Sequence, residues 1–366
     1  MVDKRYITSV FCFLFFCLYF IGQAIESKVI LSCALVFAFF AAVLSFKFSW
    51  KVFFVYLLVA FTFVIVILFN NGFPTTRLYF NIAFLFVNIM LVFSIVNGRV
   101  NIPVVLSLSI LMLILFVIVC AIISFSKSLP VYVYMETVLK GFSYNYVSGF
   151  LILSSSLYYA YYENLKLKAP LGKTLSVILV VLCFLLYGRS GILFSLLLFI
   201  FNFRFFFNPK HGIRFFFILC LTVLAVILLG YYSFAIYDVV QHSKFREGIE
   251  SPRFVMLHEY FDALDVYGLI FGVDITKLPT IASFNYNPHN SLINLHAMLG
   301  MVSIIFIMIV LLSLINKMST NPWLVLFLLI YLARGCIDTM IFPGNFDYIF
   351  MAILFFSHRL KFQRIS

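Results

Sequence analysis

The chain has 366 residues, of which 64% are hydrophobic and only 10% charged, and its mean hydropathy is +1.14. That lies far outside the range of a soluble globular domain and leaves lipid as the main solvent. A net charge of +12 would suit a nucleic-acid binder, but the basic residues are scattered over short loops without a basic, aromatic-interleaved stripe, which argues against nucleic acid as a partner.

Lys4 and Arg5 precede a first apolar stretch with no small-residue cleavage pattern after it, so the stretch reads as a retained span. Apolar runs then place spans near 7–25, 29–46, 52–69, 78–96, 104–124, 144–162, 174–187, 191–207, 215–234, 290–316, 323–341 and 346–358. The predicted fold class is therefore all-α, a polytopic transmembrane helical bundle of about twelve spans, with residues 1–366 forming one integral membrane domain. Seven cysteines at 12, 17, 33, 120, 183, 220 and 336 sit in or at the ends of these runs and read as small packing residues. With the N-terminus inside, the cytoplasmic side gathers Lys4, Arg5, Lys47, Lys51, Arg99, Lys166, Lys168, Lys173, Arg204, Lys210, Arg214, Lys317, Arg359, Lys361 and Arg364 against only Asp3 and Glu163. The positive-inside rule then puts both termini in the cytoplasm.

Most connections are short, but 235–289 forms a long polar segment on the outer side, rich in acidic residues and carrying His242, His258 and His289. It contains a helix start: Ser251 suits a cap and Pro252 the first helical position. A helix from Arg253 to Ile270 would turn Leu257, Phe261, Leu264 and Gly268 to one side and Glu259, Asp262 and Asp265 to the other, lying across the bundle mouth or the membrane interface. A second outer loop near 125–143, with Lys127, Lys140 and several tyrosines, is placed to form another wall of a cleft.

The strongest local pattern is Pro288-His289-Asn290, followed by Gly300 and Ser303. If the span at 290–316 begins here, helical spacing puts His289, His296 and Gly300 on one stripe, with Asn290 and Asn294 beside it. A neutral imidazole at the mouth of a span accepts a proton from a hydroxyl; the plainer alternative is a His-Asn helix cap. Arg77, Arg189, Arg253 and Arg334 all fall near outer ends of spans, against the positive-inside trend. Guanidinium groups bind phosphate bidentately and keep their charge, so several around one cleft would hold a pyrophosphate. For Arg334 the alternative is a salt bridge to Asp338 one turn on, for Arg189 it is snorkelling to the interface, and for Arg253 it is pairing with Glu250 or Glu259. Asp262 and Asp265 are a weak metal pair, and no Gly-rich nucleotide loop is present, so no metal or other cofactor is expected.

Arg253 at the head of the outer segment, the Leu269-Ile-Phe-Gly272-Val turn, Pro288-His289-Asn290 with Gly300, Gly188-Arg189-Ser190 and the late stretch from Phe342 to Tyr348 together resemble the Wzy and WaaL group of O-antigen polymerases and ligases. The resemblance covers 188–348; in ligases the residue three after the glycine is Gly, Thr or Tyr, where this chain has Ser303. It implies a GT-C type glycosyltransferase of the Gram-negative inner membrane, working at the periplasmic leaflet without a metal. The implied reaction joins undecaprenyl-pyrophosphate-linked oligosaccharide repeat units with inversion, beside a polysaccharide co-polymerase that regulates chain length. Arg189 and Arg253 would bind the departing pyrophosphate, with Arg77, Arg334 and Asn290 as further substrate-binding candidates, and His289 and Arg253 would be the catalytic pair. An O-antigen ligase acting on lipid A-core is the nearest rival; a lipid-linked oligosaccharide flippase is the rival of another class, which would favour mid-membrane charges and related halves.

Overall fold

The computed structural model describes residues 4–46, 49–70, 73–140, 143–203 and 252–362, and all regular structure among them is helical. The first nine helices are α1 (Lys4–Ala24), α2 (Lys28–Ser45), α3 (Trp50–Phe69), α4 (Thr75–Val96), α5 (Ile102–Ser126), α6 (Val131–Val138), α7 (Tyr144–Asn164), α8 (Gly172–Leu185) and α9 (Arg189–Asn202). After the undescribed stretch come α10 (Pro252–Asp262), α11 (Val266–Phe271), a 3-10 turn at Ile275–Lys277, α12 (Pro279–Ser283), α13 (Ser291–Leu299), α14 (Met301–Met318), α15 (Pro322–Ile337) and α16 (Asp347–Phe362).

Six of these, α1 to α5 and α14, are long and apolar enough to cross a membrane, which makes the chain a multi-pass helical membrane protein. The remaining expected spans differ for definite reasons. Helix α7 has the length but carries Ser154, Ser155 and Ser156 and a run of tyrosines, and it is buried along most of its 21 residues as the central post of the bundle. Helices α8, α9, α15 and α16 have 14, 14, 16 and 16 residues, short of the roughly 20 that a span perpendicular to the bilayer needs. The expected span at 290–316 is two helices, because Gly300 adopts φ +53° and ends α13 before α14 begins. The expected span at 215–234, and the start of the long segment, lie outside the described residues.

Lipid tails are as apolar as leucine, so burial alone does not hold such helices together; close packing and interhelical hydrogen bonds do. Helix α2 accordingly turns Ala34, Ala38, Ala41 and Ala42 inward, all buried, while Val36, Phe39, Phe40 and Val43 face out. Its small face lets α1 approach so closely that a Cβ on Gly22 would meet Leu31. Helix α1 fills the centre with rings: Phe16 stacks on Phe346 at 5.1 Å, Tyr19 meets Phe84 edge-on at 5.3 Å and Phe20 meets Phe150 at 5.6 Å. Polar side chains add cross-links, Ser45 to Ser94 at 2.5 Å and Asn88 to both Gly344 O and Tyr348 N.

The described part of the outer segment, residues 252–289, is folded onto one end of this bundle. As expected, a helix begins at Pro252, but it does not run to Ile270. The Asp265 carboxylate takes the Gly268 N–H and so caps a separate helix, α11. The break also changes the inward face: Met256 and Tyr260 are buried, whereas Phe261 is 58% exposed. Glu259, expected on a solvated face, accepts from the Thr280 N–H and hydroxyl and so ties α10 to α12. Two glycines clasp the segment to the bundle. A Cβ on Gly272 would strike the Ala297 carbonyl, and one on Gly300 would strike the Ile270 carbonyl. Between them the Asn70 amide donates to the Phe271, Ala297 and Met298 carbonyls, binding α3, α11 and the end of α13 at one point.

Candidate functional site

Beside this clasp a cavity of about 1110 Å³ opens at the same end of the bundle, between the heads of α1, α2, α4 and α7 and the outer segment. Its deeper wall carries Tyr19, Phe84 and Phe150, its flanks the uncharged amides Gln23, Asn81 and Asn294, and its rim Glu26, Lys28, Glu136 and Lys140. The loop before α7 thus supplies one wall, as its sequence suggested. Asn294 is only 3% exposed, and its carbonyl oxygen has no hydrogen-bond partner. Ring faces and neutral amides are the surface a sugar prefers, since they offer apolar contact and hydroxyl-sized partners together.

His289 lines this cavity. Contrary to the one-stripe expectation, it does not belong to the following helix. It adopts φ +48°, and Asn290 is the N-cap of α13, accepting from the Leu292 and Ile293 N–H groups. The cap reading of Asn290 is therefore the observed one, and His289 stands just ahead of the helix. One edge of its ring is buried: Nδ1 lies 3.6 Å from Asp338 Oδ1, in ion-pair range but longer than a hydrogen bond, and makes no other bond. The ring is 23% exposed, and Phe284 packs edge-on against it at 5.5 Å.

Asp338 is the hub. It lies just beyond the last residue of α15, is 2% exposed, and accepts from Arg334 Nη1 at 2.8 Å and from Arg253 Nη2 at 3.0 Å. Burial by itself pushes the Asp338 carboxyl up, but Arg334, the facing His289 and Arg253 outweigh it and hold it down at about 2. A carboxylate so stabilised stays ionised and fixes the basic groups around it. Arg334 is fully buried, and its second Nη donates to the Asn145 carbonyl at 2.7 Å, in space left free by Gly149. The pairing with Asp338 that its spacing suggested is present, and Arg334 stands behind the cavity wall. Arg253 reaches the same carboxylate from the outer segment and remains 40% exposed.

The other predicted arginines divide between two places. Arg77 lines the cavity, lies over the Phe73 ring at 5.7 Å and donates to the Tyr286 carbonyl at 2.8 Å. Arg189 opens α9 after Gly188, whose place against the Asn145 side chain puts this turn near Arg334; Arg189 itself is not on the cavity wall. The structure thus gathers His289, Arg253 and Arg334 on one carboxylate, sets Arg77 on the wall, and uses Asn290 as a cap. Sequence reading treated Asp338 only as a partner for Arg334. Its role as a common acceptor depends on a chain reversal that no local pattern encodes. Among the described residues no group of three His, Cys, Asp or Glu side chains is placed to hold a metal ion. Comparison with protein-family models, with curated proteins and with solved structures gives no match to this chain.

Proposed function

We propose that the chain is an O-antigen polymerase, a GT-C type glycosyltransferase of about twelve spans in the bacterial inner membrane, whose cavity opens to the periplasm. The observation that carries this reading is the His289–Asp338 pair at 3.6 Å, with one imidazole edge against an ionised carboxylate and the ring at a cavity of about 1110 Å³. In the proposed reaction the carboxylate closes on an Nδ1 proton as the ring turns and leaves Nε2 as the base, the division of labour in which a buried acid orients a catalytic histidine.

The acceptor is the non-reducing end of one lipid-linked repeat unit, lying against the amides and rings of the cavity wall. Its hydroxyl attacks the anomeric carbon of the donor glycan and passes its proton to His289. The bond from that carbon to undecaprenyl pyrophosphate breaks with inversion, and the departing pyrophosphate takes the electron pair. In this reading Arg77, on the cavity wall with His289, and Arg253, which shares Asp338 with it, meet that growing charge, where preorganised donors lower a barrier most; Arg253 and Arg189 lie off the cavity wall.

The test is the lipopolysaccharide banding of a strain lacking the gene, complemented with the unaltered chain or with His289→Ala. Core carrying a single repeat unit in the deletion strain, with ladders restored only by the unaltered chain, supports the polymerase. Core without any O-antigen in the deletion strain would assign the gene to ligation or flipping, and normal ladders with His289→Ala would remove His289 from the chemistry.

A further inference from the structure

The segment that carries His289 is held in an unusual shape. Asn285, Tyr286 and His289 all have positive φ, at +54°, +58° and +48°, a region that non-glycine residues rarely adopt. Such backbone persists only when its surroundings over-determine it. Here the surroundings form a closed ring of hydrogen bonds: the Asn287 amide donates to the Tyr146 hydroxyl at 3.4 Å, Tyr146 donates to Thr339 Oγ1 at 3.1 Å, and Thr339 donates to Asn287 Oδ1 at 3.1 Å. The same Oδ1 accepts the His289 N–H at 3.0 Å.

The placement along the chain gives the ring its meaning. Asn287 lies two residues before His289, and Thr339 directly follows Asp338, so their bond joins the two strands of chain that carry the facing pair. A second staple lies on the other flank: the Ser291 hydroxyl donates to Asp338 O and accepts from the Met340 and Ile341 N–H groups. The imidazole and the carboxylate are thus bracketed on both sides, while Arg77 fixes the Tyr286 carbonyl from the cavity side.

We infer that Asn287, with Thr339 and Tyr146, is a positioning residue that sets the reach between His289 and Asp338, an inference that rests on the transferase reading above. The staples hold the pair at 3.6 Å, from which a small ring rotation closes a full hydrogen bond as the imidazole gains the acceptor's proton. Asn287, Thr339 and Tyr146 also line the cavity, but their polar atoms are spent on one another and on the His289 N–H, so loss of the clamp acts chiefly by misplacing the base.

The experiment uses the full chain in lipid nanodiscs, with lipid-linked single repeats as both donor and acceptor. Asn287→Ala is expected to lower kcat roughly tenfold or more, the scale of a sub-ångström misplacement, with KM within about twofold. Asn287→Asp keeps an acceptor for the His289 N–H and the Thr339 hydroxyl and is expected to recover most of that loss. Thr339→Val and Thr339→Ser form a second pair with the same contrast, should Asn287→Ala fail to accumulate. Combined with Asp338→Asn, Asn287→Ala should add little further loss, because both act through one imidazole. Unchanged kcat in Asn287→Ala and Thr339→Val, or losses that multiply fully with Asp338→Asn, would overturn the inference. Absence of any transfer by the unaltered chain would instead overturn the transferase reading, and full activity in His289→Ala would remove His289 as the base; these failures are distinct.

Discussion

Asp338→Ala tests the hub directly. In the folded protein the carboxylate is 2% exposed and Arg334 is 0% exposed, so removing the acid leaves a guanidinium buried with only the Asn145 carbonyl to offset it. Breaking a buried pair in this way costs about 3–5 kcal/mol; the half-exposed Arg253 adds little to that figure, since solvent screens it. Replacing both partners, as Arg334→Met with Asp338→Leu, removes the unpaired charge and should bring stability back to within about 1–2 kcal/mol of the original. Unfolding of the purified protein by sodium dodecyl sulfate titration measures both variants, and the banding assay is run alongside. The expected pattern is an unstable single variant, a stable double variant, and no chain ladder from either, because the double variant still lacks the acid behind His289. A single variant within about 1 kcal/mol of the unaltered protein would refute the buried-pair argument; a double variant that makes chains would refute the role of Asp338.

Gly272→Ala and Gly300→Ala place a methyl where φ is +97° and +53° and where a carbonyl oxygen already sits, so each should cost about 1–3 kcal/mol from conformation alone and more from the collision; unchanged unfolding midpoints would sink the clasp. Tyr260→Phe removes the 2.6 Å bond to His296 Nδ1 and should cost about 1 kcal/mol, and in a double-mutant cycle with His296→Ala the two losses should fall short of additive. Burial pushes the Tyr260 hydroxyl up and the His296 imidazole down, so His296 is held neutral. A group whose folded value is depressed in this direction destabilises the fold as pH falls, and acidification should loosen the outer segment, read as faster hydrogen exchange in α10. Arg253→Lys keeps the charge but loses the planar fork; ladders should shorten while protein level in the membrane holds, and unaltered ladders would show that charge alone suffices.

Much of the architecture was legible because lipid imposes a coarse rule. A run such as Trp50–Phe69 has few alternatives to a spanning helix. The rule fails where helices bury polar residues against one another. Helix α7, with its serines and tyrosines, is the most buried of the long described helices, yet it reads as the least membrane-like of them. The capping start at Pro252 was visible, but the break before α11 was hidden, because Asp265 looked like a surface acid and acts as a cap. At the site, His289 stood out by its place at the mouth of a span. Its helical phase did not survive, since the phase presumed a helix that starts one residue later and stops at Gly300. Asn287 and Thr339 carried no signal at all: each is a common polar residue, and they acquire a role only when the outer segment folds back on the turn after α15.

The charge balance at the hub is the last link between this arrangement and the proposed chemistry. Two guanidiniums, Arg334 and Arg253, face one carboxylate, so these three groups carry one surplus positive charge. In the proposed reaction His289 would take the acceptor's proton and the surplus would become two as the leaving pyrophosphate gains negative charge, so the field of the site would grow in step with the charge to be stabilised. Asp338 prevents that second charge from being prohibitive, because an ionised acid already faces Nδ1. Asp338→Asn should therefore accumulate in the membrane better than Asp338→Ala, since an amide still offers an oxygen to Arg334, yet lose most of its turnover. Turnover in Asp338→Asn equal to that of the unaltered chain would mean that the proton does not go to His289.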